Sequence, residues 1–260
     1  MKFQVILSCM HNKDFSIIER SGLGAVNTLI INQCDTDADY KVEEGIHTMI
    51  YTATRGLSVS RNMAIDNSDA DICLVSDDDE LFVPDLEKLV VDAYERFPQA
   101  DLIVFRMVNR STKLGDKPKK LSKLELLRVS SWQISFKLAS VKGKVDFDTN
   151  LGAGTKNGAG EENKFLLDCY RAGLNIYYVP IKIAAVAQES STWFRGYDRR
   201  FFFNRGKTTR YILGLPLSVF YAVHYLVTKR RIYTKDISIK LAAKELFRGI
   251  FAKGINSSFE

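Results

Sequence analysis

The sequence predicts an α/β fold: a mostly parallel central sheet with helices on both faces, followed by a C-terminal helical extension that is both basic and apolar. Three observations carry this. Short apolar runs of strand length alternate with segments of helical periodicity as far as about Ser190. A chain of 260 residues, 46% hydrophobic and 26% charged, can bury the core of one α/β domain with an appendage. The net charge of +6 is unevenly divided: from Thr192 onward 14 Lys/Arg face 4 Asp/Glu, whereas the preceding residues hold 23 and 27. A basic tail on an acidic body suggests an anionic surface as the tail's partner.

Phe3–Leu7 reads as the first core strand and not as a secretory leader, since it has one preceding positive charge and only a short apolar run. Thr28–Ile31, ending at Asn32 and Gln33, and His47–Thr52 are the next two strands. Leu57–Asp66 has the apolar spacing of a short helix. Ile72–Val75 is a buried strand, Asp85–Arg96 a helix through Leu86, Leu89, Val90 and Ala93, and Asp101–Val108 another strand. Lys113–Lys123 is basic and contains Gly115 and Pro118, which predicts an exposed, mobile loop. Ser131–Leu138 reads as a strand. Gly152, Gly154, Gly158 and Gly160 punctuate a loop before a helix at Glu161–Ala172, and strands follow at Asn175–Val179 and Ile181–Val186. Cys9, Cys34, Cys73 and Cys169 are scattered without a Cys-x-x-Cys pair, so small buried residues in a reduced compartment are expected.

Four acids, Asp77, Asp78, Asp79 and Glu80, follow directly on the strand ending at Val75 and Ser76. Adjacent carboxylates at a strand end repel one another unless a cation or a set of donors neutralises them. Hard oxygen ligands select Mg²⁺ or Mn²⁺, and ligands of open α/β sheets collect beyond the carboxyl ends of the strands. The competing reading is a solvated acidic turn that caps the helix starting near Pro84 and Asp85. Two more segments lead to the same sheet edge. One is Ser8-Cys9-Met10-His11-Asn12. The other is Arg55 to Asn62, whose Gly56, serines, Arg55 and Arg61 suit a phosphate, an ion pair being the structural alternative for Arg61. Glu161 and Glu162 open a helix after the glycine-rich loop, either as favourable charges on the helix dipole or as a general base. No P-loop motif is present, and no Gly-x-Gly-x-x-Gly follows the first strand, which weakens ATPase and dinucleotide dehydrogenase readings.

Together, Ser76 to Asp85, Gly56 to Ile65 and Gly160 to Gly173 resemble, in order and spacing, three blocks of family 2 glycosyltransferases, over roughly Phe3 to Phe194. The resemblance implies a GT-A fold with a Rossmann-like sheet: a catalytic domain at residues 1–191, its nucleotide-sugar half ending near 110, and a C-terminal extension at 192–260. It implies an inverting, metal-dependent transfer from a nucleotide-diphosphate sugar, commonly a UDP-sugar, to a glycan or lipid-linked saccharide in surface polysaccharide biosynthesis. Registered on Pro84 and Asp85, Asp77 and Asp79 are the acids of the Asp-x-Asp motif, with Mn²⁺ or Mg²⁺ on Asp79 and Asp77. The nucleotide would be met by Ser8, Met10, Asn32, Gln33, Arg55, Leu57, Arg61, Asn62, Asp77 and Asp78. Glu162 stands where the family's base is expected, with Glu161 as runner-up; Gly160, Glu161 and Trp193 would face the sugars. Many relatives carry a further metal-ligating His after the last core strand; this chain has Gln188 and Glu189 there, either of which could substitute, or the metal could be held by Asp79, diphosphate and water.

Tyr211–Val227 is 17 residues without formal charge. As a straight helix it would reach about 25 Å, short of a ~30 Å hydrocarbon core. Lys235–Lys253 places Ile239, Ala243, Leu246 and Ile250 on one stripe, beside Lys240, Lys244 and Arg248. That combination suits a helix in an anionic membrane interface, on the inner face of the cell membrane in the cytoplasm; packing on the body or on a second subunit of a homodimer is the alternative. A sugar-phosphate nucleotidyltransferase and a nucleic-acid-binding module are the rival functions. The first usually has a glycine- and arginine-containing loop after the first strand, which Ser8–Lys13 does not supply. For the second, the tail's interleaved apolar run favours lipid over a phosphate backbone, so no nucleic-acid partner is expected.

Overall fold

The computed structural model describes residues 1–187, 196–257 and 259. The chain divides into two units, Met1–Thr149 with Glu161–Glu189, and Asn150–Gly160 with Ser190–Glu260.

In the first unit the order is β1 (Phe3–Met10), α1 (Ser16–Arg20), β2 (Thr28–Gln33), β3 (Tyr40–Glu44), β4 (His47–Thr52), α2 (Leu57–Asn67), β5 (Ile72–Asp77), β6 (Glu80–Phe82), α3 (Leu86–Arg96), β7 (Leu102–Met107), β8 (Lys119–Lys120), α4 (Lys123–Leu126), β9 (Ile134–Lys137), α5 (Leu138–Val141), α6 (Glu161–Arg171) and β10 (Ile176–Val186). All ten strands join one sheet in the order β3-β4-β2-β1-β5-β9-β7-β10-β6, with β8 beside β10. The β4-β2-β1-β5 core is parallel, as is the β7–β10 pair, while β9 is inserted antiparallel between β5 and β7. Central strands are covered on both faces, so they are nearly continuous in apolar residues: Val5, Ile6 and Leu7, Leu29 to Ile31, Ile72 to Val75 and Leu102 to Phe105 are all buried. The register sets Ser8 beside Asp77 and Met10 beside Gln33, so the carboxyl ends of β1, β2 and β5 finish together. That shared edge is where α/β sheets collect ligands.

Three predicted elements differ in detail, and one strand was not predicted. β10 runs unbroken through Pro180, because register shifts between Tyr178 and Lys182 let the strand pass a residue with no N–H to donate. Residues 113–123 are anchored and not a free loop: Leu114 and Leu121 are buried, β8 pairs with β10, and the Tyr178 hydroxyl donates to the Gly115 carbonyl at 3.0 Å. Ser131–Gln133 forms a 3₁₀ turn, so the strand begins only at Ile134. β3 has no counterpart in the sequence reading, since all five of its residues are exposed and no buried face marks it as a strand. Cys9, Cys73 and Cys169 are buried free thiols, and burial pushes Cys9 to about 12 and Cys73 to about 11.

The second unit contains α7 (Arg199–Leu213), α8 (Leu215–Thr228), α9 (Arg230–Tyr233) and α10 (Ile239–Ile250). The apolar run at 211–227 is therefore not one straight helix. Gly214 ends α7 in a conformation with φ +77, and Pro216 lies in the first turn of α8, where its missing N–H costs nothing. α7 and α10 cross backbone to backbone. A Cβ on Gly206 would lie 2.0 Å from the Leu246 carbonyl oxygen, and one on Gly249 would lie 2.0 Å from that of Phe203. This crossing corrects the membrane reading of the last helix. Leu246 and Ile250 are buried with Phe202, Ala222, Tyr225, Tyr233 and Ala242 in the unit's own core. Glu245, fully buried on the same helix, is held by Arg199 at 2.6 Å and Arg248 at 2.9 Å. Among the described residues, no helix is long and apolar enough to cross a membrane.

Candidate active site

The acid run is built as a turn between two strands. Asp77 ends β5, Asp78 and Asp79 reverse the chain, and Glu80 begins β6, which pairs antiparallel with the end of β10. The Ala187 N–H donates to the Asp79 carbonyl at 2.7 Å and pins the turn. Glu80 closes it from inside: its side chain is buried and Oε1 accepts the Asp77 N–H at 3.0 Å. Burial, then the charge of Asp77, holds the Glu80 carboxyl well above the usual carboxylate range. The same causes, in the same order, raise Asp78 and Asp79. The turn thus carries more negative charge than it neutralises by itself.

The carboxylates are not equivalent. Asp77 accepts from Arg61 Nη2 at 2.8 Å through Oδ1 and from the Ser131 hydroxyl at 3.2 Å through Oδ2. Asp79 accepts from no side-chain donor among the described residues and forms no ion pair there. The donor set fits Mn²⁺ or Mg²⁺, which take one or two carboxylates and complete their shell with phosphate oxygens and water. Asp79 could hold such an ion, while Asp77, the other acid of the predicted pair, is engaged by two donors. Among the described residues, no three His, Cys, Asp or Glu side chains converge on one point.

Arg61 is the centre of the arrangement. It lies on α2 and is completely buried. Besides Asp77, it donates from Nη1 to Glu161 Oε1 at 3.2 Å, so one guanidinium joins the end of β5 to the first turn of α6. Its Cζ lies 5.3 Å from the centroid of the Phe147 ring, which stacks on Phe165 of α6 at 4.1 Å. Asn62 exchanges two hydrogen bonds of 2.8 Å with the Phe147 backbone. Glu161 is a buried ion-pair partner in a first helical turn, where its charge also suits the helix dipole, and Glu162 stands beside it, only partly accessible. Burial, then the charge of Glu161, pushes Glu162 up to about 8. A carboxyl so tuned can exchange a proton near neutral pH.

Among the other predicted nucleotide contacts, most polar side chains have protein partners. Ser8 accepts the Ser60 hydroxyl at 2.8 Å. Buried Asn32 holds the backbone of Asn12 through both ends of its amide, at 3.0 and 2.6 Å. Gln33 donates to the Gly56 carbonyl at 3.2 Å. Arg55 pairs with Asp35 and reaches the carbonyls of Cys34, Ala53 and Thr54. Met10 is exposed at the end of β1, next to His11, a non-glycine residue with positive φ, at 53°. Leu57 opens α2 and is half-buried. Gly160 packs beside Thr208 and Ile212. Trp193, Gln188 and Glu189 lie outside the described residues. Sequence reasoning missed Ser131, Phe147 and Arg110, whose positive charge lies close enough to Asp79 to oppose its rise.

Residues 16–151, more than half of the chain, match the model of glycosyl transferase family 2. The chain belongs to this family. The fold of this glycosyltransferase is shared with TarS 1-349 of S. aureus in complex with UDP-GlcNAc, at 14% identity and a TM-score of 0.64, covering 92% of this chain and 77% of that one. A second crystal structure of TarS 1-349 superposes with a TM-score of 0.59, also at 14% identity, over 92% and 76% of the two chains. A mannosyltransferase of Pyrobaculum calidifontis in complex with GDP-Man and Mn²⁺ matches at 13% identity and a TM-score of 0.50, over 92% and 77%. No curated protein matches the chain. The rival nucleotidyltransferase is not the family found.

Proposed function

We propose that this family 2 glycosyltransferase transfers a sugar with inversion from a nucleotide-diphosphate sugar, in the first instance a UDP-sugar, to a hydroxyl of a glycan or lipid-linked saccharide in surface polysaccharide synthesis. The observation that carries the reading is the buried Arg61, which ties the metal-type acid turn to the helix-opening acids while keeping them separate sites. Glu162 takes the proton of the attacking hydroxyl, and Glu161 with Arg61 fixes its position. Asp77 faces the nucleotide, and Asp79 would hold Mn²⁺ or Mg²⁺. Such an ion, when bound, offsets the charge that builds on the leaving diphosphate. The neighbours crystallised with UDP-GlcNAc, and with GDP-Man and Mn²⁺, support this class of donor.

A screen of nucleotide sugars with Mn²⁺, monitored by nucleotide release, tests the activity, and calorimetry of UDP tests the metal. Asp79→Asn should abolish release and remove the Mn²⁺ dependence of UDP binding. Metal-dependent binding that survives in Asp79→Asn would place the ion elsewhere.

The reading places the enzyme on the inner face of the cell membrane, now through α8 and not α10. Phe220, Val223 and Val227 are 68%, 51% and 70% exposed at i, i+3 and i+7 of α8. Lys229, Arg230 and Arg231 follow directly, a combination suited to an anionic lipid interface. Phe220→Asp with Val227→Asp should cut co-sedimentation with phosphatidylglycerol vesicles, and equal pelleting of wild type and variant would sink the assignment.

A further inference from the structure

The helical unit carries more cations than its acids balance. From residue 192 onward the acids are Asp198, Asp236, Glu245 and Glu260. The Asp198 side chain caps α7 by accepting the Phe201 N–H, and Glu245 is shared by Arg199 and Arg248. Residues 150–160, in the same unit, contain no acid and one cation, Lys156. Lys207 of α7 is only 4% exposed, and its Nζ donates to the Ser257 carbonyl at 2.9 Å. An ammonium has three donors, so this bond leaves two to place. The same Nζ lies 5.8 Å from the centroid of the Phe203 ring. Burial, then the charges of Lys156 and Arg200, lowers Lys207 from its ordinary value, and no carboxylate among the described residues opposes them.

Arg200, Asn204 and Lys207 recur at i, i+4 and i+7 of α7, so they share one face. Arg200 is exposed and Asn204 half-buried, and neither side chain forms a hydrogen bond or ion pair among the described residues. Lys156 is exposed and likewise unpaired among them. It stands on a loop closed upon itself: the Gly152 N–H donates to the Asn157 carbonyl at 3.0 Å, and the Asn157 amide to the Asn150 carbonyl at 3.0 Å. The cover over Lys207 is thin, since Gly254 and Asn256, in the turn that ends at Ser257, are both exposed. A buried ammonium beside two further cations is unfavourable, and a bound anion would relieve it. A phosphate group brings about two negative charges and three acceptor oxygens, enough to meet several of these donors at once. We propose that Lys156, Arg200 and Lys207, with Asn204, form a binding site for a phosphate group, borne by a soluble molecule or by a lipid headgroup. The site belongs to a different unit from the acid turn and does not rest on the transferase reading.

The test follows the melting temperature of the full chain in inorganic phosphate and in chloride at equal ionic strength. EDTA is present, so that no divalent ion bridges phosphate to the acid turn. Phosphate should raise the melting temperature of the wild type to a plateau, as a ligand of the folded state does. Lys207→Met should lose that gain without melting lower in chloride, because the ammonium it removes has no counterion. Arg200→Glu, at an exposed position, should lose it too. Calorimetry should find phosphate roughly ten-fold or more weaker for Arg200→Glu than for the wild type, the scale of one lost charge-assisted hydrogen bond. A second arm uses vesicles of phosphatidic acid and of phosphatidylcholine, with Phe220→Asp and Val227→Asp present so that α8 adds no apolar anchor. Pelleting with phosphatidic acid alone that Arg200→Glu abolishes would assign the site to a lipid headgroup; a response to inorganic phosphate without such pelleting would assign it to a soluble phosphate. Either result supports the site. No response to phosphate or to phosphatidic acid would overturn the proposal, as would a response that survives in Arg200→Glu.

Discussion

Glu162→Gln should lower kcat by roughly 10³-fold, the scale of a lost general base, while the enzyme still binds UDP with Mn²⁺. Gln matches the shape of Glu and can keep its place at the start of α6, but it cannot take the acceptor's proton. The pH profile gives the same assignment independently. Burial, then the charge of Glu161, pushes the Glu162 carboxyl up to about 8, and Arg61 opposes this only in part. The base works when ionised, so kcat/KM should rise as pH passes through that value and level off above it. A rate that falls over the same range would make Glu162 an acid. Glu161→Gln separates the two candidates. It removes the negative charge that helps to raise Glu162, so it should shift the rising limb to lower pH and leave substantial activity. If Glu161→Gln is the inactive variant and Glu162→Gln is not, the roles are reversed.

Stability supplies a control with the opposite sign. Between the ordinary carboxylate value of 4.5 and about 8, the unfolded chain ionises Glu162 while the folded protein keeps its proton. The unfolded state then binds fewer protons, so the wild type loses stability through this group as pH rises across that window. Gln has no such linkage. Glu162→Gln should therefore gain on the wild type in melting temperature from about pH 4.5 towards pH 8. A variant that is inactive because it misfolds would do the reverse.

What was legible in the sequence is what local spacing encodes. The acid run after an apolar strand, the Gly-Ser-Arg start of α2 and the paired glutamates of α6 each lie within one short segment, so their elements and residue types are readable in place. Arg61 was readable as a phosphate ligand or an ion-pair residue, but not as the link between both acidic sites. Its partners are 16 and 100 residues away, and the contact exists because β5 pairs beside β1 and α6 packs Phe165 against Phe147. The helical tail failed in a different way. Periodicity found the apolar stripe of α10 but gave no means of choosing between lipid and protein as its cover, and Gly206 and Gly249, which decide it by admitting α7 at backbone distance, do not stand out in a one-dimensional pattern.

Arg61→Met should destabilise the protein by about 3–5 kcal/mol, the usual cost of removing one partner from a buried charge pair. Met fills much of the same volume, so little of the loss would come from a void. It would come from Asp77 and Glu161, whose side chains are only 24% and 8% exposed and would lose their shared counterion. Denaturant unfolding measures this as a lower midpoint at unchanged slope. Arg61→Lys would keep the charge but not the planar fork that reaches two carboxylates at once, so it should recover part of the stability and little of the activity. The decisive comparison is Arg61→Met combined with Glu161→Gln. Removing the stranded carboxylate should restore a good part of the lost stability, because the cost lies in the uncompensated charge. Activity should stay low, since the acid turn and α6 would no longer be held by one rigid group. If the double variant is no more stable than Arg61→Met alone, the guanidinium acts through packing on Phe147, and the two acidic sites are aligned by the sheet and helix framework instead.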